Sequence, residues 1–147
     1  MNENMDEGDI LMQQAIGINP SDTCANLHDK LALSTAECIT SIVLQISKNI
    51  PLNNVPQDHK NASYCHKLNK ESFYLNPKDP MQTNMAKIRA FSPKPGAYSK
   101  VNTKRIKILT AHVQNNRIIP LSVQPEGKPI MSFDDFKRGC QDPLELC

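Results

Sequence analysis

The clearest pattern in the chain is a set of apolar positions that recur with the spacing of an α-helix between residues 22 and 48. They are Leu27, Leu31, Cys38, Ile39, Ile42, Val43 and Ile46. Residues spaced three or four apart share one face of a helix, so the pattern predicts a helix with one buried stripe. Asp22 or Thr23 is expected to cap its start, after a turn at Asn19-Pro20-Ser21, and Pro51 prevents its continuation.

Shorter apolar segments predict a first strand over residues 9–18 and a second over 72–75. Between them, residues 55–70 are polar and show no sustained period, which is typical of a linker. Thr83 is expected to cap a short helix that buries Met85, Ile88 and Phe91. This helix must stop before Pro93, because the residue before a proline disfavours helical backbone.

A β-hairpin is predicted over residues 105–123, with Gln114-Asn115-Asn116 joining its strands, because Asn tolerates left-handed turn conformations. Pro120 places the second strand at an edge or a bulge. On the first strand, Ile106 and Ile108 should face one side and Leu109, Ala111 and Val113 the other. On the second strand, a shared face is predicted for Ile119, Leu121 and Val123. Ser132, with Asp135 three residues on, predicts the start of a last short helix.

Composition narrows the class of protein. The chain has 147 residues, which suggests one domain or two small pieces. No apolar run approaches the ~20 residues of a membrane span, and the acidic N-terminus has no apolar core of a signal peptide. We therefore expect a cytoplasmic protein without a membrane partner.

The five cysteines are irregularly spaced and form no CxxC pair, so reduced thiols are expected. His59, Cys65 and His66 lie close together, but a tetrahedral zinc site needs a fourth ligand at a recognisable spacing. No metal site is predicted.

Charge is distributed unevenly along the chain. From Pro80 to Pro125 there is no acidic residue, while eight are basic: Lys87, Arg89, Lys94, Lys100, Lys104, Arg105, Lys107 and Arg117. Such a segment is either a solvated face or a surface for a polyanion, and the residues alone favour neither interpretation. Near the start, the acidic segment Asp6-Glu7-Gly8-Asp9 places carboxylates beside a glycine. This arrangement can suit an acid–base group, but the signal is weak, because acidic turn residues before a strand are commonplace.

Several motifs occur in a diagnostic order along nearly the whole chain. They are Asp6-x-Gly8-Asp9-Ile10-Leu11, Leu27-x-Asp29-Lys30-Leu31, Tyr64-x-x-Lys67-Leu68-x-Lys70-Glu71, Ile88-Arg89-Ala90-Phe91-Ser92-Pro93-x-Pro95-Gly96-Ala97 and Gln124-Pro125-Glu126-Gly127-Lys128-x-x-Met131-Ser132. In this order they resemble the C-terminal part of the methionyl-tRNA formyltransferases. The first motif is shared by folate-dependent formyltransferases in general, whereas the last two point more narrowly to the C-terminal domain of the tRNA enzymes.

The resemblance implies an α+β fold class in two parts. Residues 1–54 would be the remnant of a Rossmann-like α/β formyltransferase domain, a strand plus a helix. Residues 55–71 would be a linker, and residues 72–147 a reduced OB-like β-barrel domain. The implied activity is transfer of a formyl group from 10-formyltetrahydrofolate, a co-substrate rather than a tightly bound cofactor, to the α-amine of methionyl initiator tRNA.

The resemblance also assigns residues. Asp6 matches the family's catalytic Asp, which orients and charge-balances a His and helps to move a proton from the attacking amine. The loop of Asn4, Met5, Asp6, Glu7 and Gly8 would lie against the folate. The residues expected to contact tRNA are Arg89, Lys94, Lys100, Lys104, Arg105 and Lys128. Lys94 stands where the family often has Trp.

The family's catalytic Asn and His have no counterpart in this sequence, since they would precede the region that matches Met1. The sequence therefore predicts a truncated formyltransferase whose activity requires the missing half from a separate polypeptide. The alternatives are a catalytically inactive tRNA-binding OB-like module and a degenerate remnant of the enzyme.

Overall fold

A computed structural model describes residues 3, 5–140, 142 and 144. In this part of the chain, three α-helices and one four-stranded antiparallel sheet make an α+β protein, as predicted. The chain divides into two units. The first comprises Met1–Ile18 and Leu27–Lys67, and the second comprises Asn19–Asn26 and Leu68–Cys147.

Helix α1, Cys24–Ser47, begins and ends as its sequence predicts. At its start, Thr23 Oγ1 accepts a hydrogen bond from the backbone N–H of Asn26 at 3.3 Å, so Thr23 caps the helix. At its end, Asn49 adopts a φ of 54°. The N–H of Ile50 then donates to the carbonyl of Gln45 at 2.9 Å. A left-handed residue followed by a hydrogen bond to the carbonyl five residues back is the Schellman motif. This motif satisfies carbonyls of the last helical turn.

The buried stripe predicted for α1 is not observed. No residue of α1 is buried, and Ile39, Val43 and Ile46 are each 56% exposed. Leu27, Cys38 and Ile42 are only half-buried. The other described residues of this unit form loops, one isolated β-bridge and a 3₁₀ turn at His59–Asn61. Because they form no sheet or helix layer, the periodicity has nothing to pack against within the unit.

The two short strands predicted before the hairpin are also corrected. In residues 9–18 only Ile10 pairs, in an isolated antiparallel bridge with Val55. Residues 72–75 begin in a 3₁₀ turn, Glu71–Phe73, and then Tyr74 makes one parallel bridge to Tyr98. An apolar segment becomes a strand only where a partner pairs along its length, and these two segments meet a partner at a single residue.

The sheet consists of β1 Ala97–Val101, β2 Lys104–Gln114, β3 Arg117–Pro125 and β4 Met131–Ser132, in that order. The β2–β3 hairpin is confirmed, and both Asn115 and Asn116 have positive φ, 51° and 58°, as a type I′ turn requires. Strands β1 and β4 were not predicted. β4 is two residues long, and β1 carries polar residues directly after a proline-rich loop, so neither shows a strong apolar period.

A register shift in the β2–β3 pair changes which side chains point inward. Ile106 and Ile108 share one face, as predicted, and both are buried, but Leu109 is buried too and the pairing shifts on both sides of Thr110. On β3, the buried residues are Ile118, Pro120 and Val123, whereas Leu121 is 51% exposed. The predicted shared face of Ile119, Leu121 and Val123 is therefore wrong, because an irregularity reverses the alternation of faces. Pro120 lies beside this shift, consistent with the predicted bulge.

Two helices pack against the sheet. Helix α2, Met81–Phe91, begins after Pro80 rather than at a Thr83 cap. Its Ile88 is buried, with Met85 and Phe91 packed around it, as predicted. Helix α3, Phe133–Gly139, begins at Ser132, whose Oγ accepts from the N–H of Asp135 at 3.1 Å. The core of this second unit consists of Leu75, Ile88, Ala97, Val101, Ile106, Ile108, Ile118 and Val123.

Candidate nucleic-acid interface

Strand alternation places the buried residues on one side of the sheet and leaves several basic side chains on the other side, which faces solvent. On β1, Ala97, Ser99 and Val101 are buried, so Tyr98 and Lys100 point outward. Tyr98 pairs with Lys107, and Lys100 pairs with Arg105. Lys107 in turn pairs with Gln124 of β3. We call this set, Tyr98, Lys100, Arg105, Lys107 and Gln124, the basic sheet face.

Aromatic rings support the cations of this face. The Arg105 guanidinium carbon lies 5.1 Å from the centroid of the Tyr98 ring. Lys100 Nζ lies 5.9 Å from the ring of Tyr74, and the two tyrosine rings are 5.5 Å apart. Cation–π contacts at these distances hold long basic side chains near an aromatic surface. Proteins that bind single-stranded nucleic acids use this combination of basic side chains and aromatic rings.

A cleft of about 400 Å³ opens at one end of the basic sheet face, and we call it the Tyr98 cleft. Its lining includes Phe73, Tyr98, Gln124, Glu126 and three basic residues, Lys70, Arg105 and Lys107. Gly96 is required here because its φ is 86° and a Cβ on it would lie 2.9 Å from Lys107 Cδ. The bare backbone of Gly96 thus allows the Lys107 stem to lie close against it.

Two of the predicted tRNA contacts, Lys104 and Lys128, line a different cleft of about 790 Å³, here called the Lys104 cleft. Its lining also includes the carboxylates Glu126, Asp135 and Asp142. Asp142 Oδ2 accepts a hydrogen bond from Asn102 at 2.7 Å. Asp135 is paired with Arg138, and the charges of Glu126 and Asp142 offset those of the two lysines, so this cleft is a weaker attractor for phosphate than the basic sheet face.

The structure does not bring the six predicted contacts together. Lys100 and Arg105 share the basic sheet face, whereas Arg89 lies in the last turn of α2, the helix that covers the buried side of the sheet. Lys94 is exposed in the loop before Pro95 and Gly96. The predicted set omitted Lys70, Lys107 and Tyr98. Recognising β1 would have revealed two of them, because the alternation of residues 97–101 against 104–108 places Tyr98 and Lys107 opposite each other.

The predicted catalytic loop is tied to a later segment of the first unit. Gln57 Nε2 donates to the main-chain carbonyls of Asp6 at 3.0 Å and Gly8 at 2.6 Å. Asn54 donates to the Asp9 carboxylate, and Asp6 has a φ of 61°. These amides bind the backbone and Asp9, which leaves the Asp6 carboxylate at an exposed position. Met5 is 88% exposed, and Asn4 lies outside the described residues.

In the described part of the chain, no group of three or more His, Cys, Asp or Glu side chains is placed to hold a metal ion, and this includes His59, Cys65 and His66. Cys24, Cys38, Cys65 and Cys140 are free thiols, while Cys147 is outside the described residues. None of the helices is both long and apolar enough to cross a bilayer.

Comparison with known proteins supports the resemblance found in the sequence. Residues 67–120 match the family profile described as the formyl transferase C-terminal domain. A methionyl-tRNA formyltransferase of Rickettsia bellii is 31% identical over 165 residues, an alignment that covers 98% of this chain and 53% of the relative. One from Blochmanniella floridana is 38% identical over 122 residues, covering 80% of this chain and 36% of the relative.

A third relative, the methionyl-tRNA formyltransferase of Syntrophomonas wolfei, is 34% identical over 115 residues, with 78% of this chain and 37% of the relative covered. The chain therefore spans about half, or less, of the length of the curated relatives it matches.

Proposed function

This chain is homologous to the C-terminal part of the methionyl-tRNA formyltransferases, and on that premise we propose that it serves the same reaction. The reaction is transfer of a formyl group from 10-formyltetrahydrofolate to the α-amine of methionyl initiator tRNA. In this proposal the second unit holds the tRNA and the first unit contributes one catalytic carboxylate. The observation that carries the proposal is the basic sheet face of a domain that matches this family.

The described residues favour the basic sheet face as the main tRNA contact. Lys100, Arg105 and Lys107 lie on adjacent strands with no carboxylate among the residues that define the face. Neighbouring strands are about 4.8 Å apart, so these cations form a dense positive surface. Such a surface displaces counterions from the phosphates of an RNA backbone. Arg89, Lys94, Lys104 and Lys128 are proposed as secondary contacts, since they lie away from this face.

For the chemical step we propose that Asp6 charge-balances the family's His and helps to remove the proton from the attacking amine. The loop of residues 4–8 would lie against the folate. Two observations support this assignment: the Asp6 carboxylate is exposed, and Gln57 ties the loop backbone on both sides of Glu7. Because the tether restricts the movement of the loop backbone, it also restricts the positions that the Asp6 carboxylate can take, as catalysis requires.

We also propose the domain division that the sequence suggests. Residues 1–54 would be the end of a Rossmann-like catalytic domain, residues 55–71 a linker, and residues 72–147 a reduced OB-like barrel. The four-stranded antiparallel sheet with its hairpins supports the last assignment. The exposed apolar face of α1 supports the first, since helices of α/β domains cover a sheet. A separate polypeptide would supply the family's Asn and His, and the complex would act in the cytoplasm.

Binding to initiator tRNA over a salt series tests the interface. Arg105→Ala should weaken binding and reduce the slope of log affinity against log salt by about one, because one phosphate contact is lost. Lys48→Ala is the control, because it removes one exposed positive charge from the first unit and should leave the slope unchanged. Affinity of the unchanged chain that does not vary with salt would contradict the proposed interface.

Formyl transfer by the 147-residue chain tests the catalytic assignment. We expect no turnover by this chain alone, since Asp6 without its partner His and Asn cannot position the amine or stabilise an oxyanion. Turnover should be restored when a polypeptide carrying the family's Asn and His is added, and it should be lost again with Asp6→Asn. Asp29→Asn is the control, as its exposed carboxylate lies on α1. Restored turnover that survives Asp6→Asn would remove Asp6 from the mechanism.

A further inference from the structure

We propose that the Tyr98 cleft binds one unpaired nucleotide of the RNA, with its base on the aromatic wall and its phosphate at the basic rim. The inference rests on the proposed function, since it assumes that RNA approaches the basic sheet face. It adds a specificity element, because phosphate contacts on that face carry no information about whether a nucleotide is paired.

The size and shape of the cleft suit one nucleotide. Its volume is about 400 Å³, near the lower end of the roughly 300–1,000 Å³ found for small-molecule sites. A base pair inside a helix cannot enter such a concavity, because its faces are covered by neighbouring pairs. A bulged or loop nucleotide can enter, since its base has been released from the stack.

The aromatic wall is already held in place. The Phe73 ring makes an edge-on contact with Phe91, with centroids 4.8 Å apart and planes at 80°. Tyr98 is fixed by its strand pairing with Lys107 and by its ring contact with Tyr74. The Arg105 guanidinium lies over the Tyr98 ring, so a base would reach this wall by stacking on the guanidinium plane that Tyr98 supports. Groups that are already held in place lose little conformational freedom when a base stacks on them, so the cost of binding is low.

The rim supplies charge of the right sign for a phosphate. Lys70, Arg105 and Lys107 line the cleft against one carboxylate, Glu126. Lys107 is aligned by its close packing over Gly96. Gln124 and Glu126 add an amide and a carboxylate that can hydrogen-bond to the edge of a base. An inorganic phosphate would leave the aromatic wall unused, and an apolar peptide would leave three cations unpaired, so a nucleotide uses more of the site than either.

The test compares two RNA hairpins with equal numbers of phosphates, one fully paired and one with a single bulged 2-aminopurine. The unchanged chain should bind the bulged hairpin about tenfold more tightly, the range expected for one stacked base, and should quench its fluorescence. Tyr98→Leu should abolish the preference and the quenching, whereas Tyr98→Phe should keep both because it retains the ring. Tyr64→Leu, at a tyrosine that is 89% exposed in the first unit, is the matched control and should change neither.

The outcomes separate this inference from the proposed function. Equal binding of both hairpins would overturn the nucleotide site while leaving the basic sheet face intact. Failure to bind either hairpin would overturn both. AMP could also displace the bulged hairpin at concentrations as low as those at which the hairpin saturates the protein. In that case the site would take free nucleotides, and the RNA assignment would be wrong. These comparisons use the unchanged chain, so they decide the matter even if Tyr98→Leu does not fold.

Discussion

At the scale of single residues, a few backbone positions control the geometry of the candidate interface. Gly96 is the clearest, because it joins the loop after α2 to β1 with a left-handed φ and its N–H donates to the carbonyl of Phe91 at 2.8 Å. It also lies under the stem of Lys107. One missing Cβ therefore serves both the turn into the sheet and the position of a cation on the basic sheet face.

Gly96→Ala is expected to destabilise the second unit more than Gly127→Ala. Both glycines have positive φ, 86° and 73°, so an alanine at either site is strained by about 1–3 kcal/mol. Only at position 96 would the new Cβ also press on Lys107, since nothing lies within 4 Å of a Cβ at Gly127. Urea unfolding of the two variants measures the difference. Equal losses of unfolding free energy in the two variants would show that the Lys107 side chain moves away from the new Cβ without a measurable loss of stability.

At the scale of elements, helical periodicity has different outcomes in α1 and α2. Both helices present apolar residues at helical spacing, yet α2 buries Ile88 to 2% exposure while α1 buries no residue. Helix α2 packs against the sheet formed by β1, β2 and β3, and its Ile88 joins their core side chains. An apolar stripe stabilises a helix only in proportion to the area it removes from water.

Ile88→Ala should cost about 2–5 kcal/mol of unfolding free energy, the usual range for emptying a fully packed site. Ile130→Ala is the matched control, since Ile130 is 57% exposed and should change stability by less than about 0.5 kcal/mol. Chemical denaturation followed by circular dichroism gives both values. Similar effects of the two substitutions would mean that α2 does not anchor the core.

At the scale of the whole molecule, hydrophobic burial is concentrated in the second unit. The residues that the structure describes as buried and hydrophobic all lie between Leu75 and Val123. The first unit holds its loop by polar contacts, such as Gln57 with the carbonyls of Asp6 and Gly8. A few hydrogen bonds of this kind contribute less to stability than a packed core.

Amide hydrogen exchange in the 147-residue chain should therefore show two levels of protection. Amides of β2 and β3 should exchange only through global unfolding of the second unit, whereas amides of α1 should exchange through smaller openings and at least about tenfold faster. Exchange followed by mass spectrometry resolves these segments. Equal protection in α1 and β2 would show that the apolar face of α1 is covered in solution. Adding a polypeptide of the kind we propose, one that supplies the family's Asn and His, should slow exchange in α1 if it covers the helix.

The candidate site was only partly accessible from the sequence. Asp6 stays a prediction from a short, contiguous motif, and its exposed position on a tethered loop depends on Gln57, 51 positions away. Lys100 and Arg105 belong to one basic segment of the sequence, and the sheet places them side by side. Lys104, from the same segment, belongs to another cleft, because adjacent residues of a strand point to opposite faces.

What the sequence by itself determined is local. The Thr23 cap, the Asn49 ending, the Asn115-Asn116 turn and the Ser132 cap are each made by hydrogen bonds or dihedral preferences within a few residues. Tertiary structure alone decided the burial of α2 but not α1, the existence of β1, and the reversal of faces beside Thr110. These features depend on partners far along the chain. Burial and strand register are properties of a pair of surfaces, which the periodicity of one segment does not specify.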